Sequence, residues 1–576
     1  MSQVKGIPYG ISDFNRMRNE NFYFVDKTMY LPLIEEMPSY LFLIRPRRFG
    51  KSLFLSMMRT YYDIIQKDNF DKYFGDLWIG SRPTKQHNSF QVLFFDFSKA
   101  GCSLPGADLM SSFNEYCSII INQFAHAYAS YYDEDFKSTV ESIESAKAKL
   151  SYIEVKAKEK GYPLYLIIDE YDNFTNVILS EHGQKMFHDL THASGFYREY
   201  FKQFKGMFDR IFLMGVSPIT LDDLSSGYNI DWNISTDSRF NAMIGFDETE
   251  VREMLRYYQQ NGKLVGDVEA MITEMKPWYD NYCFARTSLD NDRVFNCDMT
   301  LYYLRNQIDF HRPPENMVDK NIRTDYSKLR HLIRIDKTFG VNTSVIQQIV
   351  TEGSITAQIS TSFPAEKLTD TENFKSLLFY FGMLSIQGTD FGSAILGIPN
   401  LTVREQLYTY LVEAYREAKM FDLDLSSFSG LVKGMALRGE WEAVFRFFAR
   451  ELERQSAIRE FIDGEAHVKG FLLAYLGLTQ GYVLFPEHES SKGYADFYMM
   501  PDLLHQPDIA YSYIVEVKYT KRDASEGEIA SLKKEAAEQL VRYAADEKVL
   551  RTKGGTKLEL ITLVFKGWEL VIAEKL

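Results

Sequence analysis

Glu516 and Lys518 stand two positions apart in the run Tyr513-Ile514-Val515-Glu516-Val517-Lys518, so a β-strand there puts a carboxylate and an ammonium on one face. A further carboxylate, Asp496, closes Gly493-Tyr494-Ala495-Asp496, a strand-like run placed to be the antiparallel neighbour of the first. Two acids and a lysine in this pattern suit metal-assisted cleavage of a phosphodiester. Asp496 and Glu516 offer hard oxygen ligands to a divalent cation, Mg2+ or else Mn2+, and Lys518 can sit over the attacking water or the scissile phosphate.

A second constellation lies in the first third of the chain. The apolar run Leu41 to Ile44 leads into Arg45-Pro46-Arg47-Arg48-Phe49-Gly50-Lys51-Ser52 and then a helical pattern. A strand-to-helix turn of this kind aims backbone amides at the phosphates of a nucleotide. Lys51 would neutralise the β and γ groups, and Ser52 would offer its hydroxyl to magnesium. Arg45 stands where such loops commonly begin with glycine. Downstream, Leu164 to Ile168 reads as a buried strand ending in Asp169 and Glu170. Asp169 would hold magnesium through water and Glu170 would activate the attacking water, so ATP with Mg2+ is the cofactor expected here. Ser217, after the run Phe212 to Met214, is either a γ-phosphate sensor or part of a plain turn. Arg239 is either an arginine finger or a structural arginine.

The elements that must carry these groups follow from periodicity. Leu41 to Ile44, Val92 to Phe95, Leu164 to Ile168 and Ile211 to Met214 alternate with amphipathic stretches such as 108–131 and 136–160, the rhythm of a parallel α/β sheet. Asp247 opens a capped helix and, with the tyrosine-rich stretch Trp278 to Phe284, a helical lid. From about 330 to 450 the pattern reads as helical, a connecting or winged-helix-like region. Mixed α/β character returns with a helix near Glu465 to Leu476, strands near 481–518, a helix near 525–545 and strands near 558–572. The expected division is 1–245, 246–330, 331–450 and 451–576.

Bulk properties restrict the function classes. A chain of 576 residues, 45% hydrophobic and 25% charged, has the composition of a multidomain globular protein. The N-terminus lacks the apolar stretch of a signal peptide and no run approaches a membrane span, so the expectation is a cytoplasmic protein that engages no membrane. Cys102, Cys117, Cys283 and Cys297 show no metal or redox spacing. A net charge of −14 argues against a surface coated by nucleic acid and leaves room for a local basic channel. The segment 451–576 holds 16 Lys and Arg against 21 Asp and Glu, an acidic balance that bound metal would partly offset.

Gly6-Ile7-Pro8 through Val25-Asp26-Lys27-Thr28, Arg45 through Leu53, Ile168 through Asp172 and Ser238-Arg239-Phe240-Asn241 resemble the bacterial AAA-ATPase-like proteins that carry a PD-(D/E)XK nuclease domain at the C-terminus. The resemblance covers nearly the whole chain. It implies a P-loop, AAA-like parallel sheet followed by a helical lid and linker and then an α/β nuclease fold. In that family a phosphate loop without the leading glycine is usual, so Arg45 is a family trait. The resemblance also implies that Glu465 is an upstream acid that helps bind metal, and that Gln539 and Tyr543, one helical turn apart, form the Gln-x-x-x-Tyr helix of the exonuclease-like branch. Lys469 stands where the family often has histidine, and Glu489 matches a recurring family acid.

These readings converge on an ATP-regulated, metal-dependent nuclease acting on nucleic acid, with DNA favoured over RNA and a homo-oligomer left open. The rival reading is a non-cutting ATP switch or scaffold whose C-terminal domain binds nucleic acid or a protein. A translocase is disfavoured because no helicase motifs accompany the phosphate loop.

Overall fold

The computed structural model describes residues 3–100, 109–178, 196–219, 232–289, 293–319, 341–364, 367–368, 370–417, 419–455, 464–486 and 496–576. The chain divides into two compact units, Met1–Leu332 with Gln358–Ala394, and Ile333–Ala357 with Ile395–Leu576.

The four apolar runs near the N-terminus form strands β1 (Tyr40–Ile44), β2 (Gln91–Asp96), β3 (Leu164–Asp169) and β4 (Arg210–Gly215), joined by the two-residue β5 (Trp232–Asn233). Their order is β2-β3-β4-β1-β5 and every pair is parallel. A parallel sheet is covered on both faces, which is why β3 and β4 are buried at every residue and their sequences are apolar runs with no alternation. The parallel order brings the carboxyl ends of β1 and β3 to the same edge with one strand between them, the place where such sheets bind ligands. The stretch expected as one amphipathic segment over 136–160 is two helices, Phe136–Ser142 and Ala146–Lys160. Ile143 and Ser145 take extended backbone angles, and the Ala146 amide donates to Asn114 Oδ1 at 3.0 Å.

Helix α1 (Lys51–Tyr62) follows β1 directly. Farther along, α2 (Glu248–Gln260), α3 (Val268–Tyr279) and α4 (Cys297–Phe310) share an apolar core. Val251, Met254, Leu255 and Tyr258 recur at helical spacing and meet Met271, Met275 and Tyr303. The start of α2 is set by a capping box. Asp247 accepts from the Glu250 amide and Glu250 accepts in return from the Asp247 amide, worth about 1 kcal/mol.

Between 341 and 438 the helices Val341–Glu352, Thr371–Tyr380, Leu401–Glu417 and Leu425–Arg438 agree with the expected helical character. The same stretch also holds the short strands Ser354–Ala357, Ser385–Asp390 and Ser393–Gly397, which the sequence reading lacks. None exceeds 6 residues, and the turn between the last two uses Phe391 and Gly392 at positive φ, so no long periodic run announces them.

In the second unit β6 (Tyr482–Pro486), β7 (Phe497–Pro501), β8 (Tyr511–Thr520), β9 (Lys557–Lys566) and β10 (Glu569–Lys575) form a sheet in the order β10-β9-β8-β7-β6. Of these paired strands only β8 and β9 are parallel. Helices α5 (Glu465–Leu476) and α6 (Glu526–Ala544) pack on β8, and α6 is the crossover that a parallel β8–β9 pair requires. No helix among the described residues is long and apolar enough to cross a membrane.

Candidate functional site

Two sites emerge, one in each unit. In the first, the chain leaves β1 at Ile44 and turns through a loop in which Arg48 (φ 66°) and Gly50 (φ 91°) adopt left-handed backbone. Glycine tolerates that conformation freely, whereas Arg48 is held in it against a cost of about 1 kcal/mol, the kind of local strain that clusters where ligands are clamped. Lys51 opens α1 with its ammonium buried, donating to the carbonyls of Arg45 at 3.2 Å and Pro46 at 2.9 Å. Burial lowers its pKa, opposed by Glu170 and Asp169. Ser52 donates to Asp169 Oδ2 at 2.5 Å. Asp169, at the end of β3, is pushed up to about 6, first by burial and then by Glu170 and Asp96, against the Ser52 hydrogen bond and Lys51. Glu170 follows at φ 48°.

Arg48, Gly50, Lys51, Ser52 and Glu170 border a cavity of about 540 Å3, a size suited to a nucleotide, and Asp169 reaches it only through its hydrogen bond with Ser52. Arg47, Arg48, Gly50, Lys51, Ser52 and Glu170 form its polar wall, and Ile11, Tyr23, Val25, Ile244 and Leu301 its apolar one. Arg45 and Pro46 do not line it. The Arg45 guanidinium is fully buried and donates to the carbonyls of Ile44, Ser235 and Phe240 while lying 4.2 Å from the centre of the Phe284 ring. Burial lowers its pKa to about 9. Arg45 thus ties the start of the loop to two other segments of the same unit. Lys27 lines the cavity and is bound to Glu250 at 2.6 Å and to the Ala242 carbonyl at 2.8 Å. Its only signal in the sequence was its place in the Val25-Asp26-Lys27-Thr28 motif.

Ser217 and Arg239 lie elsewhere. The buried Asp172 carboxylate accepts from the amides of Val216 (3.2 Å) and Ser217 (2.7 Å), pinning the turn after β4. Gly215 is required there, since a Cβ would meet Asp172 Oδ1 at 2.4 Å and the Tyr171 ring. Ser217 Oγ is engaged within its own turn, accepting from the Ile219 amide at 3.2 Å. Arg239 pairs with Asp237 at 2.6 Å on the surface.

The second site is built on β7 and β8. Their antiparallel register pairs Phe497 with Val515, which puts Asp496 beside Glu516. The Asp496 amide donates to Glu516 Oε2 at 3.1 Å, and Asp496 Oδ2 accepts from the Val517 amide at 2.6 Å. The strand period aligns Ile514, Glu516 and Lys518 on one face of β8, and the Lys518 ammonium reaches Glu516 Oε1 at 2.9 Å and Glu535 of α6 at 3.3 Å. From α5 come Glu465, to which the Tyr519 amide donates, and Lys469, whose ammonium lies 2.8 Å from Asp496 Oδ1. Asp496, Glu516, Lys469 and Lys518 are all buried.

Burial, with like charge second, sets the electrostatics of the acids. Burial and then Asp496 raise Glu465 to about 7, against Lys518 and Lys469. The same two causes raise Glu516 well above the carboxylate range. Burial lowers the Lys518 ammonium, but Glu516, Glu465 and Asp496 outweigh it and hold its pKa above the usual lysine value. Gln539 lies on α6 with its Oε1 buried and without a hydrogen-bond partner among the described residues. Tyr543 packs in an apolar cluster with Tyr498, Ile514, Leu540 and Val549. Glu489 and residues 493–495 lie outside the described residues.

The donor set is all carboxylate oxygen and suits a hard divalent cation. As the side chains stand, no group of three or more His, Cys, Asp or Glu among the described residues is arranged to hold a metal. Each oxygen of Asp496 and Glu516 already faces an ammonium or an amide.

Comparison with known proteins bears on both units. The family model for a predicted AAA-ATPase matches residues 8–225, and that of the PD-(D/E)XK nuclease superfamily matches residues 463–575. The chain is similar to an uncharacterized protein in the vnfD 5′ region of Azotobacter chroococcum mcd 1, 27% identical over 281 residues. That alignment covers 48% of each, so the chain spans about half the length of the curated relative it matches. Two solved structures overlap loosely. The Aeropyrum pernix ORC2 protein (ADPNP-ADP complexes) aligns at 11% identity and TM-score 0.33, covering 70% of this chain and 98% of that one. The Aeropyrum pernix ORC1 protein in complex with DNA aligns at 10% identity and TM-score 0.24, covering 69% and 91%. Overlaps this loose carry no argument. The chain therefore carries an AAA-ATPase-like domain within residues 8–225 and a PD-(D/E)XK nuclease-superfamily domain within residues 463–575.

Proposed function

We propose that this protein is an ATP-regulated, metal-dependent nuclease that cuts phosphodiester bonds, with DNA favoured over RNA, in the cytoplasm. The observation that carries the reading is the cluster of buried Asp496, Glu516 and Lys518 with half-buried Glu465 from α5 in the second unit. Burial first and the neighbouring carboxylate second push Glu465 and Glu516 toward their protonated forms, and a hard divalent cation such as Mg2+ or Mn2+ would relieve both in this all-oxygen donor set. Asp496 and Glu516 would hold it, with Glu465 assisting. Bound there, a divalent ion supplies Lewis-acid polarisation of a phosphoryl oxygen and acidifies a water. Lys518, positioned by Glu516 and Glu535, would steady the developing negative charge, and the buried acceptor of Gln539 would orient water or substrate.

At the other site Lys51 and the loop amides would receive the β and γ phosphates of ATP, Ser52 and Asp169 would hold magnesium, and Glu170 would orient the attacking water. Residues 246–330 serve as the lid over this site and 331–450 as the connection to the nuclease domain from 451. The test is a cleavage assay with the purified chain, Mg2+ or Mn2+, with and without ATP, on linear, circular and single-stranded DNA and on RNA. Metal-dependent cutting that changes with ATP supports the reading, and absence of cutting on every substrate sinks it.

One observation favours the rival, a non-cutting switch. The ammonium groups of Lys469 and Lys518 already satisfy Asp496 and Glu516 without any metal. A protein that binds nucleic acid with no cleavage under any metal supports that alternative.

A further inference from the structure

Lys469 is the unexpected member of the acidic cluster. It lies on the first turns of α5, 27 residues before Asp496, and its ammonium is buried at 2.8 Å from Asp496 Oδ1. The opposite oxygen of the same carboxylate is held by the Val517 amide, and Glu516 is held by Lys518 and the Asp496 amide. Oδ1 of Asp496 is therefore the ligand atom that a positive charge on another element already occupies. A divalent ion bonds carboxylate oxygen at about 2.1 to 2.5 Å, and two cations on one buried oxygen repel strongly. Lys518, the other ammonium of the cluster, has Glu535 as a second acidic partner at 3.3 Å and can turn toward it.

We propose that Lys469 is a resident counter-cation that a metal ion must displace from Asp496, so that metal loading is an exchange of cations and this lysine sets the metal affinity of the site. The proposal rests on the metal-site reading above. Around the resting cluster three carboxylates, Glu465, Asp496 and Glu516, and a fourth, the more exposed Glu535, face two ammoniums, Lys469 and Lys518. The lysine also satisfies Asp496 while no metal is bound, and so spares the fold a buried unpaired carboxylate.

The experiment titrates Mn2+ alone into the full chain by calorimetry, for wild type, Lys469→Gln and Lys469→Arg. The amide introduced by Lys469→Gln can still donate to Asp496 but carries no charge, so this variant is expected to bind Mn2+ at least about tenfold tighter than wild type. Lys469→Arg keeps the charge and is expected to show no such gain. Equal or weaker binding by Lys469→Gln overturns the exchange while leaving the metal site intact. Absence of Mn2+ binding in all three chains overturns the metal site itself and the proposal with it. Should Lys469→Gln unfold without metal, Mn2+ is expected to restore a cooperative thermal transition with a larger shift than in wild type, and failure to restore it overturns the proposal.

Discussion

The phosphate-loop site and the carboxylate cluster present opposite states of readiness. The first is open. Its loop holds Arg48 and Gly50 at positive φ, as the turn after β3 holds Glu170, around a cavity of about 540 Å3, and its lysine rests on the carbonyls of its own loop. The second is closed, its acids neutralised by lysines from α5 and β8 and by backbone amides. Phosphates would enter the first site by replacing hydrogen bonds within its own loop, whereas a cation would enter the second by breaking buried ion pairs. The difference teaches that chemical groups of the right kind do not by themselves make a site receptive. What each group already touches decides the cost of loading it.

The largest effect that tests this contrast is on cutting. Lys518→Ala is expected to lower metal-dependent cleavage by about a thousandfold while leaving Mn2+ affinity within about threefold, because the ammonium serves the developing charge more than the metal. Loss of metal binding in parallel with cleavage would merge the roles that the closed site keeps apart. At the open site Lys51→Ala should weaken ATP binding by about a hundredfold in calorimetry, and Glu170→Gln should retain binding while turnover falls by a similar factor. Unchanged ATP affinity in Lys51→Ala would remove the phosphate loop from the argument.

Arg45 sharpens the comparison at intermediate scale. Because its guanidinium serves three backbone carbonyls and the Phe284 ring, Arg45→Met is expected to cost about 2 kcal/mol of stability with ATP affinity within about twofold. Lost affinity at unchanged melting temperature would instead make Arg45 a phosphate ligand. The smallest effect is the pH response of the closed site without metal. Glu465 has its folded pKa raised to about 7, above the ordinary 4.5, so the stability tied to its protonated form is complete below about pH 4.5 and is lost as pH rises through 7. The melting midpoint of the metal-free chain should fall by a few degrees over that window, and Glu465→Gln should flatten the fall. A midpoint that climbs between pH 4.5 and 7 in wild type alone would reverse the assigned sign.

Much of the scaffold was legible in the residues. Runs such as Leu164 to Ile168 and Ile211 to Met214 read as strands of a parallel sheet, as they are, and the helix Glu465–Leu476 appears with the bounds its pattern implied. The strands near 385–397 were not legible, because a short strand carries too few periods to stand out from helical neighbours. Within the sites, the sequence alone determined that Glu516 and Lys518 share a face and that Lys51 follows a strand at the head of a helix; it placed Asp496 at the end of the neighbouring strand, whereas that strand begins just after it at Phe497. Each of these depends on the period of a single element or on a turn between adjacent ones.

Only the tertiary structure decided what arrives from afar. It turned Arg45 away from the cavity into the carbonyls of Ser235 and Phe240, used Asp172 to pin the turn at Val216 and Ser217, and brought Lys469 from another helix onto Asp496. Periodicity states which face of an element is buried. It does not state which distant side chain will meet that face, because that choice is made by the packing of whole elements and by the need to satisfy each buried charge.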